Sequence, residues 1–207
     1  MDFQKSKLAF SCVILLGLFC FNGNSAWSAP GQNEPEEKTD KNNNSVQISN
    51  EQNKFGHKAL KVRIQIHASP SLVFDAIKDN RAADPDVQYS KFTQITINQK
   101  LLEQKYVSIP ILGSTTCTLM VEESLNKRID YNLVKSDRLS EFEGSWVITK
   151  GSSDECTTLE LSNHLKLKFP IPQKLIDSFS APKMKERIKL VKELAESKQK
   201  IQIASTD

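Results

Sequence analysis

Residues 60–77 read LKVRIQIHASPSLVFDAI, an alternating strand that breaks abruptly into a helix. Leu60, Val62, Ile64 and Ile66 share one parity, and Lys61, Arg63, Gln65 and His67 share the other. A period of two places one face on a core and the other in water. Ala68-Ser69-Pro70 follows, then Leu72, Val73, Phe74 and Ile77 at helical spacing. Ser69 suits the N-cap, and Pro70 suits the first helical position, where a missing N–H is no loss. The pattern predicts a half-buried strand that hands over directly to a short amphipathic helix.

Downstream, residues 79–86 carry Asn80, Asp84 and Pro85 and read as a loop. Strands are then expected at 89–98, with Ile95 and Ile97 on one parity, and at 101–109, whose inward parity is not evident. Pro110, Gly113 and Ser114 make a break before a strand at 115–122 that turns Cys117, Leu119 and Val121 inward. Residues 128–134 alternate cleanly, with Ile129, Tyr131 and Leu133 on one side and Arg128, Asp130 and Asn132 on the other. Residues 139–149 bury Phe142, Gly144, Trp146 and Ile148, and a last strand at 157–167 buries Leu159, Leu161, Leu165 and Leu167. Short spacings imply hairpins, and hairpins imply an antiparallel meander. Phe169-Pro170-Ile171-Pro172 ends the sheet, and Met184, Ile188, Val191, Leu194 and Ala195 then form an amphipathic helical stripe. Pro182 is expected to divide this region into a short helix around 175–179 and a long one from Lys183. The fold class is α+β: a curved seven-stranded antiparallel sheet covered by a long C-terminal helix. One helix seldom fills the concave side of such a sheet, so an apolar cavity is expected.

The chain outside this domain reads differently. Lys5 and Lys7 precede an apolar run at 8–21, and Ala26-Trp27-Ser28 offers small residues for cleavage. Residues 1–28 therefore read as a secretory signal, which places the protein outside the cytoplasm: secreted, or in the periplasm if the cell is Gram-negative. The run is short of the about 20 residues of a membrane span, and Phe19 is too bulky a neighbour for acylation at Cys20. Residues 29–54 are rich in Asn, Gln, Glu and Lys and read as a disordered tether. Residues 55–200 form one domain, and 201–207 a flexible tail.

The net charge of +3 is close to balance and gives no reason to expect nucleic acid. A monomer is expected. Lys183, Lys185, Arg187, Lys189 and Lys192 read as a solvated helix face, with peripheral contact to anionic lipid as the alternative. Cys117 points inward and Cys156 outward, which is poor geometry for a disulfide. His57, His67 and His164 show no metal-ligand spacing, so neither a metal nor a cofactor is expected. His67 and His164 fall on the first and last strands and are expected as an exposed, neighbouring pair.

Ala68-Ser69-Pro70 with Val73, Phe74 and Ile77, then Gly144-Ser145-Trp146 on a late strand, then the final helix over 172–199, occur in a telling order. Together they resemble the START-like superfamily (SRPBCC, polyketide cyclase/dehydrase), nearest to its coenzyme Q-binding and lipid-transfer members. The resemblance spans nearly all of residues 57–199. It implies a helix-grip fold around a hydrophobic pocket, and a function in binding or carrying a lipid or other hydrophobic small molecule. The pocket is expected to involve Phe74, Ile77, Ile97, Tyr106, Leu119, Val121, Tyr131, Leu133, Phe142, Trp146, Asn163, Met184 and Ile188. Phe74, Phe142, Met184 and Ile188 fit packing as well as lining. Tyr131 and Asn163 fit a ligand head group, or a rim Tyr and an Asn at a strand irregularity. Movement of the helix and of the loop at 110–113 would gate entry. No Ser-His-Asp or Cys-His arrangement and no Gly-rich phosphate loop is present. A cyclase- or dehydratase-like enzyme and a membrane- or partner-docking protein are the alternative readings.

Overall fold

Leu60, Val62, Ile64 and Ile66 are all buried, as their alternation demands, and Pro70 opens a helix. Ser69 is extended at the N-cap, but its hydroxyl meets Ser71 Oγ at 3.0 Å rather than capping the helix. The structure, a computed structural model, describes residues 45–109, 113–151, 153 and 155–205, all in the unit Lys41–Asp207. The signal read at 1–28, most of the tether and the loop at 110–112 lie outside the described residues.

In chain order the elements are β1 (Gln47–Gln52), β2 (Lys58–Ile66), α1 (Pro70–Ala82), β3 (Val87–Gln94) and β4 (Gln99–Ile109). They continue as β5 (Gly113–Ser124), β6 (Arg128–Ser136), β7 (Leu139–Lys150), β8 (Thr157–Leu167) and α2 (Gln173–Ala204). All eight strands form one antiparallel sheet, in the order β1-β2-β8-β7-β6-β5-β4-β3. The first expected strand does pair with the last, from Leu60↔Asn163 to Ile66↔Thr157. α2 packs on α1 and β2, and α1 touches β7 and β8, so both helices cover the same apolar face. Among the described residues no helix is long and apolar enough to cross a membrane.

Several expectations need correction. The sheet has eight strands, not seven, because β1 lies in the stretch read as a tether. Every β1 side chain is exposed. Its ladder with β2, from Gln47↔Arg63 to Gln52↔Lys58, holds it by backbone hydrogen bonds, which leave no hydrophobic pattern to read. α2 runs unbroken through Pro182 and on to Ala204, four residues past the expected end of the domain at 200. Ile176 lies buried before the proline and Met184, Ile188, Val191 and Ala195 after it, so one continuous stripe outweighs the local cost. α1 extends to Ala82, turning part of the expected loop at 79–86 into helix. β3 ends at Gln94, which leaves Ile97 91% exposed in the turn before β4.

The histidines also fall otherwise than expected. Because β2 and β8 run antiparallel, His164 lies opposite the start of β2 and stacks on His57, with ring centroids 4.7 Å apart. His67 follows the other end of β2, where its backbone N–H donates to Glu196 of α2. Cys117 is buried, Cys156 is half-buried, and both are free thiols. Burial pushes the Cys117 thiol up to about 12, and Asp137 adds to the shift.

Candidate functional site: a cavity under the helices

Between the inner face of β4–β7 and the two helices lies a cavity. Its walls are Ile77, Leu102, Leu119, Val121, Phe142 and Trp146. Its polar end is built by Asn80, Arg81 and Asp84 from α1 and the turn after it, Gln104 and Tyr106 from β4, Tyr131 from β6 and Arg187 from α2. The free space is about 50 Å³, measured to the centres of water-sized groups. That admits roughly three or four waters, well below the ~300–1,000 Å³ of ordinary ligand pockets. The cavity is therefore close to collapsed, and a larger ligand has to displace its lining.

The strand register explains the polar arrangement. Tyr131, Gly144 and Asn163 stand in one row across β6, β7 and β8. A Cβ on Gly144 would fall 2.3 Å from Tyr131 Oη and 2.4 Å from the Ser162 carbonyl oxygen. The missing side chain lets the Tyr131 ring cross β7, where its hydroxyl donates to Asn163 Oδ1 and its ring tilts against Phe142 at 5.4 Å. Tyr106 Oη donates to Gln104 Oε1 at 2.8 Å. Burial raises both tyrosine pKa values above the ordinary phenol, so both hydroxyls stay protonated.

The two arginines differ. Arg187 forms an ion pair with Asp84. Arg81 is half-buried and, among the described residues, makes no ion pair; its guanidinium lies 5.9 Å from the centre of the Phe92 ring. Burial pushes its pKa down, but a guanidinium remains charged at neutral pH. A cation at the polar end of a small cavity, with no carboxylate paired to it, attracts an anionic or strongly polar group. None of the lining residues is a Cys, Ser, His or Lys; the titratable groups there are Asp84, Tyr106, Tyr131 and the two arginines.

Of the residues expected to form the pocket, Ile77, Tyr106, Leu119, Val121, Tyr131, Phe142 and Trp146 line this cavity. Phe74, Met184 and Ile188 belong to the packed core, and Leu133 packs against it. Asn163 takes part only through the hydroxyl of Tyr131, and Ile97 is in solvent. Asn80, Arg81, Asp84, Leu102, Gln104 and Arg187 escaped the sequence reading. Asn80 and Arg81 follow Ile77 at i+3 and i+4, so a longer α1 would have placed them beside it. Leu102 and Gln104 share the parity of Tyr106, a signal that the pairing Leu102↔Leu119 makes plain. The basic face of α2 is largely neutralised: Lys183 pairs with Asp86 at 2.8 Å, Arg187 with Asp84, and Lys192 with Glu196 at 2.6 Å.

No protein-family model matches the sequence, and no curated protein matches it. Solved structures do. A START superfamily protein from Mycobacterium smegmatis is 14% identical with a TM-score of 0.56, over 67% of this chain and 97% of that one. The human StarD13 (DLC2) lipid transfer and protein localization domain is 13% identical with a TM-score of 0.56, over 73% and 89%. The Zhui aromatase/cyclase from Streptomyces sp. R1128 is 11% identical with a TM-score of 0.54, over 70% and 94%. With its open antiparallel sheet closed by a long C-terminal helix, this chain has the START-like, helix-grip fold.

Proposed function

We propose that this protein is an extracytoplasmic carrier or binder of a lipid or other hydrophobic small molecule, held in the cavity with its polar end at Arg81. The observation that carries the reading is Arg81 itself, a cation without an ion-pair partner among the described residues, at the polar end of a cavity whose other walls are apolar. Apolar walls fit an acyl chain or ring, and the guanidinium fits a carboxylate or a similar anion. The lipid-transfer and aromatase/cyclase domains among the structural neighbours support the same kind of ligand.

Trp146 lies in the cavity wall and is one of only two tryptophans, the other being Trp27 in the signal. Titrating a long-chain fatty acid should shift Trp146 emission saturably. Replacing Arg81 by Gln should weaken that binding about tenfold or more, the range expected for a lost charged hydrogen bond, while a fatty alcohol of equal length is little affected. An emission spectrum indifferent to apolar ligands, or equal loss of acid and alcohol, refutes the reading. The secretory part rests on residues 1–28, and the mature protein is expected to begin at Ala29 on N-terminal sequencing.

A further inference from the structure

On the outer face of the sheet, away from the cavity, two histidines and two glutamates converge. Glu141 and Glu143 project from β7 with the parity opposite to Phe142, and Glu143 stands directly across from His164 of β8. His57 reaches them from the turn between β1 and β2. Asn53 Oδ1 shapes that turn by accepting from the backbone N–H groups of Phe55 and His57, at 2.9 and 3.0 Å, and Gly56 bends it with a φ of +82°.

Both nitrogens of His164 and Nδ1 of His57 have hydrogen-bond partners, which constrain where the ring protons sit. His164 Nδ1 lies 3.0 Å from the Lys58 carbonyl oxygen, which can only accept, so Nδ1 carries a proton. Nε2 of the neutral ring then has a lone pair, and it faces Glu141 Oε2 at 2.9 Å. Two acceptors at that distance require a proton or a cation between them. His57 Nδ1 lies 3.1 Å from Glu143 Oε2, an oxygen that also accepts from Asn53 Nδ2 at 2.8 Å. A protonated Nδ1 on that carboxylate leaves His57 Nε2 as its lone-pair donor. Histidines that ligate metals show this arrangement, in which one nitrogen binds and the other donates to a carboxylate or a carbonyl.

We propose that His57, His164 and Glu141 form a binding site for a divalent transition-metal cation, with zinc the best fit, and that Glu143 and the Lys58 carbonyl orient the two rings. One ligand atom from each of the three residues already lies within 4.8 Å of the other two. Ligand atoms on a tetrahedral zinc lie about 3.4 Å apart, so the site closes only when His57 turns out of its stack on His164, while Glu141 keeps Lys166 Nζ on its other oxygen at 2.8 Å. His57 and Glu141 have that freedom, with side chains 42% and 29% exposed. Two imidazoles and one carboxylate match zinc and its neighbours rather than magnesium or calcium, which favour oxygen ligands alone. Water completes the coordination. The sequence hides the site because His57 and His164 stand at opposite ends of the domain and meet only through the pairing of β2 with β8.

The test is a zinc titration, by calorimetry and by equilibrium dialysis with metal analysis, of protein purified after expression of the full sequence. One equivalent of Zn²⁺ should bind saturably, and a hundredfold excess of Mg²⁺ should not displace it. His57→Ala and His164→Ala should each weaken binding at least tenfold, and Glu143→Gln should weaken it less than either. His57 sits in an exposed turn, so its variant keeps the fold even where His164→Ala does not; circular dichroism checks both. No saturable Zn²⁺ binding, binding unchanged in His57→Ala, or displacement by Mg²⁺ overturns the proposal.

Discussion

Gly144 shows how one absent side chain shapes the polar end of the cavity. Tyr131 crosses β7 at this position, and a Cβ would collide with both its ring and the Ser162 backbone. Gly144→Ala should therefore cost about 1–3 kcal/mol, the range for overpacking a filled site, visible as a lower melting temperature; an unchanged melting temperature contradicts the packing described. Asp137 makes a different kind of contribution. Burial raises its pKa, but donors from Thr115 Oγ1 at 2.5 Å, Thr116 N at 3.1 Å and Ser136 Oγ at 3.2 Å prevail and hold it below the ordinary value. A carboxylate whose folded pKa is depressed stabilises the protein above its unfolded pKa and loses that contribution as pH falls through the folded value. Stability should thus decline as pH drops below about 4, where an unfolded Asp titrates. Asp137→Asn should flatten that acid limb, as thermal melts from pH 7 to pH 2 would record.

Among the elements, α2 invites the sharpest test. A proline inside a continuous helix removes a hydrogen bond and crowds the preceding turn, at a cost of about 3 kcal/mol relative to alanine. Pro182→Ala should raise the melting temperature if α2 is one helix, and leave it unchanged if the chain breaks there. The sequence pointed to a break because a proline is visible locally, whereas the burial of Ile176 and Met184 on either side belongs to the tertiary structure. β1 was illegible for the opposite reason: its exposed side chains carry no periodicity, and its backbone ladder with β2, with the Glu51–Lys61 ion pair, holds it. By contrast β2, β5, β6 and β8 could be read directly, since each turns one parity to the inner face of the sheet. Ile97 shows where that method fails, because two isoleucines two apart suggested a strand face where the chain turns.

At the scale of the whole molecule, the apolar half of the site was legible and the charged half was not. Leu119, Val121, Phe142 and Trp146 follow from strand parity. Arg81, Asp84 and Arg187 come from α1, the turn after it and α2, whose meeting depends on how the chain crosses the sheet, which no local pattern encodes. The cavity as it stands holds only a few waters, so binding a lipid requires α1, α2 or the β4–β5 end of the sheet to give way. The most direct test of the carrier reading is native mass spectrometry of the purified protein mixed with long-chain anionic amphiphiles. A one-to-one complex should form with the natural sequence and be lost in Leu119→Trp, which fills the cavity, with folding of the variant confirmed by circular dichroism. Failure of every amphiphile to bind, or equal binding by a folded Leu119→Trp protein, would contradict a ligand held beneath the helices.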